Sequence, residues 1–176
     1  VRVVNNHVFI SSFYHGPMML EITGDEKPEA KVVWKGKSNN PEKPDGLHGV
    51  MTTPAIKDGH IYGIGGNGEL MCVKTDTGEK LWETKEVLGE DKAFCGTAFL
   101  VELGDHFILF SDHGDLILAD LTPKGYKEIS RAHLLEPTHE AMGRTVVWSH
   151  PAFARKCVFA RNDKEIICVS LAAGKE

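Results

Sequence analysis

The strongest constraint on this chain is a recurrence of short apolar runs, each set just behind a polar turn: HVFI at 7–10, HIYGI at 60–64, HFILF at 106–110 and CVFAR at 157–161. A second run follows each at similar spacing, MMLEI at 18–22, LMCV at 70–73, LILADL at 116–121 and IICVSL at 166–171. Ahead of three of them lies a related leading strand, TTPAI at 52–56, GTAFL at 96–100 and SHPAF at 149–153, and VRVV at 1–4 holds that place in the first repeat. A further strand follows in the first three repeats, carrying Trp34, Trp82 and the segment YKEISRAHLL at 126–135. Gly, Asp, Asn and Pro separate the runs, and no amphipathic 3.6-residue pattern is sustained long enough for a helix, so the chain reads as all-β.

The repeat is about 46 to 53 residues long and holds four strands, the size and content of a β-propeller blade. A blade buries its apolar faces only against its neighbours, so several must stack to make a core. The expected fold is a β-propeller of four-stranded antiparallel blades, with about four blades present at approximately 1–46, 47–93, 94–146 and 147–176. The first residue already sits in an apolar run, there is no initiator Met, and the last repeat stops at LAAGKE before its outer strand. The expectation is an incomplete domain, the C-terminal half of a seven- or eight-bladed ring closed by remaining blades or by a second copy, with a four-bladed ring as the alternative.

A net charge of −5 and a pI near 6.0 give no basic surface for nucleic acid. No apolar stretch reaches the length of a membrane span, and the visible N-terminus has no signal-peptide pattern. Cys72, Cys95, Cys157 and Cys168 lack the spacing of a zinc or haem motif. If Asn162 and Asp163 form a two-residue turn, residue 161 pairs with 164 and Cys157 faces Cys168 on a hydrogen-bonded rung. That register permits a disulfide, although buried free thiols are the commoner outcome.

Residues 58–82, DGHIYGIGGNGELMCVKTDTGEKLW, resemble the repeat of PQQ-like (quinoprotein-like) β-propellers, with Thr77 and Gly78 at the turn and Trp82 as the docking tryptophan. RNDKEIICVSL at 161–171 and SDHGDLILADL at 111–121 keep the hairpin without the Thr-Gly-tryptophan part. Cys72 and Lys74 stand where the family often has a small residue and an aspartate. The resemblance implies a periplasmic or secreted location. In its catalytic members it also implies PQQ held against a vicinal cysteine pair with calcium, and no adjacent cysteines occur here. Its non-catalytic members, which need only blades and a binding surface, are the nearer match.

GIGGNG at 63–68 satisfies GxGxxG, yet a strand rather than a helix follows, so the glycines read as a hairpin turn instead of a dinucleotide cradle. His7, His60 and His106 occupy one equivalent position on different blades and so cannot converge on a metal. The long connections at 39–53 and 136–151 open on one face of the ring, where His48, His139, Arg144, Trp148 and His150 are the candidate ligand-binding residues. No catalytic set emerges: His139-Glu140 lacks the second histidine of a zincin, Ser149 beside His150 is only a sequence neighbour, and the acidic residues cluster at turns where solvation is the usual state. The expected function is a non-enzymatic binding or scaffold domain for a protein, glycan or small ligand. The alternative is a PQQ-dependent oxidoreductase with its cofactor ligands in other blades, and a third reading makes the blades a spacer.

Overall fold

The computed structural model describes residues 1–89 and 93–172. The first sheet takes β1 (Arg2–Val4), β2 (His7–Ser12), β3 (Gly16–Thr23) and β4 (Glu29–Lys35) in chain order. The second takes β5 (Ala55–Lys57), β6 (His60–Ile64), β7 (Leu70–Lys74) and β8 (Lys80–Thr84). The third takes β9 (Ala98–Leu103), β10 (His106–Ser111), β11 (Asp115–Thr122) and β12 (Gly125–His133). A two-stranded ribbon, β13 (His139–Ala141) and β14 (Arg144–Val146), precedes the last sheet of β15 (Ala152–Ala154), β16 (Cys157–Arg161) and β17 (Ile166–Ser170). All pairings are antiparallel between neighbours in sequence, the up-and-down order of propeller blades.

Each pair of adjacent sheets encloses its own apolar cluster. Phe9, Met19, Ile61, Met71 and Val73 meet between the first and second blades. Tyr62, Leu70, Cys72, Phe107, Leu109 and Ile117 meet between the second and third. Phe99, Phe110, Leu135, Val147 and Ala160 meet between the third and fourth. This explains why β6 and β7 are apolar almost throughout: an interior blade is covered on both faces, so alternation disappears. In β17 only alternate residues turn inward, and Ile166 is 73% exposed.

Two tryptophans tie blades together by their polar handles. Trp34 Nε1 donates to the Thr75 carbonyl of the second blade at 2.7 Å, and Trp82 Nε1 donates to the Thr122 carbonyl of the third at 2.8 Å. Gly78 has φ +74°, and a Cβ there would lie 2.6 Å from the Trp34 ring. The glycine of the Thr77-Gly78 turn therefore meets a turn requirement and a packing requirement together. Thr77 Oγ1 accepts from the Glu79 N–H at 3.3 Å, and Lys74, in the place of the family's aspartate, pairs with Glu79 at 2.6 Å.

The register of the last hairpin corrects the two-residue turn expected at Asn162-Asp163. Arg161 pairs with Ile166, so Cys157 faces Ser170 and Cys168 faces Phe159, and both cysteines are free thiols. The cause is the Asn162 side chain, whose Oδ1 accepts from the N–H groups of Lys164 and Glu165 at 2.8 and 2.9 Å. That Asx-type capping holds a four-residue loop. A shift of two residues keeps the thiols on one face as diagonal neighbours instead of a directly opposed pair, and burial together with the adjacent Cys157 thiol raises the Cys168 pKa.

Candidate functional site

Up-and-down order places the turns β2–β3, β6–β7, β10–β11 and β16–β17 at the same end of the sheets as the linkers that leave β4, β8 and β12. This end is the loop face. Each linker crosses the β2–β3-type turn of the blade it leaves, and a glycine marks each crossing, at 16, 68 and 114. At Gly114 the approach is closest: φ is +84°, a Cβ would fall 1.8 Å from the Leu135 carbonyl oxygen, and the Gly114 carbonyl accepts from the Leu134 N–H at 2.9 Å. GIGGNG is one of these crossings. Gly68 N–H donates to the Gly65 carbonyl at 3.1 Å within a hairpin turn, and Asn67 and Gly66 carbonyls accept from Ala93 and Cys95 of the linker.

The linker at 36–54 spends its polar groups within itself and on the blade it leaves. Asp45 Oδ2 accepts from the Lys37 and Ser38 N–H groups, and Asp45 Oδ1 lies 3.4 Å from His48 Nε2. Burial raises the Asp45 pKa, but the hydrogen bonds from Lys37, Ser38 and His48 outweigh it and hold the carboxyl below its ordinary value. His48 Nδ1 reaches the Phe13 carbonyl at 2.9 Å, and the residue is 0% exposed. Ser11 Oγ donates to the Leu47 carbonyl and accepts from the Gly49 N–H at 2.7 Å. His48, expected at the binding surface, is thus a buried strut that offers no atom to a ligand.

The linker at 134–151 is built differently. Asp112, in the β10–β11 turn, is 0% exposed and accepts a fork from Arg144, with Nη1 to Oδ2 at 2.9 Å and Nη2 to Oδ1 at 3.2 Å. Thr97 N–H adds a third bond to Oδ2 at 3.0 Å, and the Asp112 carbonyl accepts from Val147 N–H at 2.7 Å. Asp112 is accordingly buried and paired, a correction to the expectation that the turn acids are solvated. Arg144, expected as a ligand-facing cation, anchors the β13–β14 ribbon to the third blade. His150 lies against Phe99 with ring centroids 4.4 Å apart, its Nδ1 at 3.0 Å from the Pro151 carbonyl.

His139 and Trp148 are the expected residues that the structure brings together. Their ring centroids are 6.1 Å apart, and both line a cavity of about 200 Å³ shared with Ser149, Arg161, Asn162 and Asp163. His139 Nδ1 pairs with Asp163 Oδ2 at 3.1 Å, and Asp163 N–H donates to Thr138 Oγ1 at 3.1 Å. Asn162 Nδ2 donates to the Glu136 carbonyl at 3.0 Å, so this linker also touches the turn of the blade it enters. Trp148 Nε1 is buried with no hydrogen-bond partner among the described residues. Arg161 and Asp112 escaped the sequence reading because one ends a strand and the other resembles an ordinary turn acid.

A second feature of the loop face was also missed. Phe13 holds two aromatic neighbours, Tyr14 at 5.0 Å and Phe94 at 5.9 Å between centroids, both edge-on. Tyr14 is 62% exposed and Phe94 41% exposed. They come from the β2–β3 turn of the first blade and the linker leaving the second, which no local pattern could join. A cleft of about 320 Å³ opens at the other end of the sheets between β1–β2 and the turns at 58–59 and 75–76.

Among the described residues no three of His, Cys, Asp and Glu converge on a metal position. Burial pushes the Cys72 thiol up to about 11, and burial also raises Cys95, so neither is activated as a nucleophile. No helix among the described residues is long and apolar enough to cross a membrane.

Residues 27–176 match the sequence profile of the family described as outer membrane protein assembly factor BamB. The fold is similar to the crystal structure of BamB from Moraxella catarrhalis, with a TM-score of 0.57 and 16% identity, over 96% of this chain and 41% of that one. The chain therefore spans about two fifths of that solved relative. No curated protein matches the chain.

Proposed function

The chain belongs to the outer membrane protein assembly factor BamB family of PQQ-like β-propellers, and from that premise we propose that it is a non-enzymatic domain that docks a partner protein on its loop face. The observation that carries this reading is the aromatic group of half-buried Phe13 with exposed Tyr14 and Phe94, on the β2–β3 turn of the first blade and the linker leaving the second. Aromatic side chains are enriched at protein interfaces because they bury much area for little lost rotamer freedom. The family description supports a protein partner ahead of a glycan or small ligand, and it supports a periplasmic or secreted location.

The test is site-specific photo-crosslinking in cells that make the protein. A crosslinking side chain at 14 or 94 is expected to capture one discrete protein, whereas the same side chain at the opposite-end turns, at 76 or 124, captures none. Equal capture from both ends removes the loop face from the account. Dye-coupled oxidation of alcohols or sugars by the protein supplied with PQQ and calcium overturns the non-enzymatic part.

A further inference from the structure

The blade interfaces differ at one repeated position, at the end of the sheets opposite the loop face. The last residue of each leading strand pairs with the first of the next strand, Val4 with His7, Lys57 with His60 and Leu103 with His106. Lys57 uses that place to bridge the second and third blades, its Nζ donating to the Gly104 carbonyl at 2.6 Å and standing 5.5 Å from the Phe107 ring centroid. Between the first and second blades Val4 holds the lysine's position, and a cleft of about 320 Å³ opens there. Val4, Met19 and Ile56 give it apolar walls, and the exposed Asp58 and Asp76 also line it. Asp58 occupies the position in the second blade that Gly104 holds in the third. Thr75 ties the two turns together, its N–H and Oγ1 donating to the Gly59 carbonyl at 3.0 and 2.9 Å. Neither carboxylate has a salt bridge among the described residues, and the neighbouring lysines are spent, Lys57 on Gly104 and Lys74 on Glu79 at 2.6 Å. At the third interface Leu103 again replaces the lysine, but Arg155 holds the position of Asp58, so a positive charge stands there instead of an acceptor.

We propose that the cleft between the first and second blades binds a small aliphatic primary amine, whose ammonium group takes the place that Lys57 Nζ holds one interface on and pairs with the Asp58 and Asp76 carboxylates, while its alkyl stem lies along Val4 and Ile56 above Met19. An ammonium on a short apolar stem is the group that a lysine side chain itself presents, so the second interface supplies the template for the ligand of the first. The volume falls within the range of small-ligand pockets, about 300–1,000 Å³. Apolar contact locates the stem, and the exposed carboxylates add a modest attraction that salt screens. The site is independent of docking on the loop face, and a small amine bound there leaves no protein to be captured at 76.

The test is a titration of methyl-labelled protein with n-pentylamine at neutral pH, with neutral n-pentanol as the control for charge. The Met19 and Ile56 methyl signals report on the cleft, and the exposed Met142 and Ile166 report on apolar surface elsewhere. The expected result is a saturable shift at Met19 and Ile56, with Met142 and Ile166 unmoved and pentanol binding about threefold to tenfold weaker. Asp58→Asn and Asp76→Asn, both on exposed turns, each weaken pentylamine about twofold to fivefold. Val4→Lys, which restores the bridging lysine at a 40% exposed position, abolishes the saturable shift and leaves the Trp82 indole N–H signal unchanged. No shift at Met19 and Ile56, equal binding of pentanol, or undiminished binding in either Val4→Lys or the two aspartate variants overturns the proposal.

Discussion

The linkers leaving the first and third blades have the same place in the fold, and both cross a positive-φ glycine on the blade they leave. The first turns its polar groups inward: Asp45 and His48 bond backbone atoms and each other, and Ser11 of β2 bonds the Leu47 carbonyl and the Gly49 N–H. The third fixes one end by the buried Asp112–Arg144 fork and carries the other across to the fourth blade, leaving Trp148 Nε1 and Arg161 unspent. A linker whose polar groups are spent within itself and on the blade it leaves is a brace, whereas one hydrogen-bonded to two blades can hold a gap between its anchors open. The difference lies in where the hydrogen bonds end, not in composition, since both segments carry His, Pro, Gly and acidic residues.

Substitutions can break that contrast, and the largest effect is expected at the third linker's anchor. Arg144→Ala strands the buried Asp112 carboxylate, and unfolding in denaturant should show a loss of about 3–5 kcal/mol. Gly114→Ala forces a positive-φ position to carry a Cβ and drives it into the Leu135 carbonyl. The backbone strain alone costs about 1–3 kcal/mol, and amide exchange should accelerate at 134 and 135 before the rest of the blade.

The effects at the first linker are smaller. Ser11→Ala removes a donor to Leu47 and an acceptor for Gly49, and thermal or denaturant unfolding should register about 1 kcal/mol. Acid sharpens the contrast further. The folded Asp45 pKa lies below its ordinary value, so its contribution is present above the unfolded pKa and is lost as pH falls through that value toward the folded one. Protection of the Lys37 and Ser38 amides, relative to their intrinsic exchange rate at each pH, should fall over that window in the wild type, while Asp45→Ala lacks that protection already at neutral pH. Unchanged protection across the window would remove Asp45 from the brace.

The blades were legible because they rest on local signals: period-2 or continuous apolar runs, bounded by turn residues and repeated four times. The β13–β14 ribbon was not. Its register places Met142 and Gly143 alone in the turn, both at positive φ (+52° and +75°), and methionine at the first position hides a turn type usually marked by Asn-Gly. Nor did Asn162 reveal that its side chain would widen the last hairpin and offset Cys157 from Cys168 by two residues in register. Of the five loop-face candidates, His139 and Trp148 meet at one cavity, His48 and Arg144 are spent on internal hydrogen bonds, and His150 stays exposed with its ring against Phe99. Residue type and loop position can nominate such side chains. Partners supplied from 35 residues away for His48 and 32 for Arg144 decide which remain available.

The claim that the loop face is the working surface is tested most directly by oxidative footprinting of the protein in the cells that make it, compared with the purified protein. Tyr14, Phe94 and Met142 report on the loop face, and Leu103 and Ile129 on exposed positions elsewhere in the third blade. The account predicts protection in cells at Tyr14 and Phe94, with Met142 following where the ribbon is engaged, and unchanged oxidation at Leu103 and Ile129. Protection at Leu103 and Ile129 with Tyr14 and Phe94 still freely oxidised would contradict it.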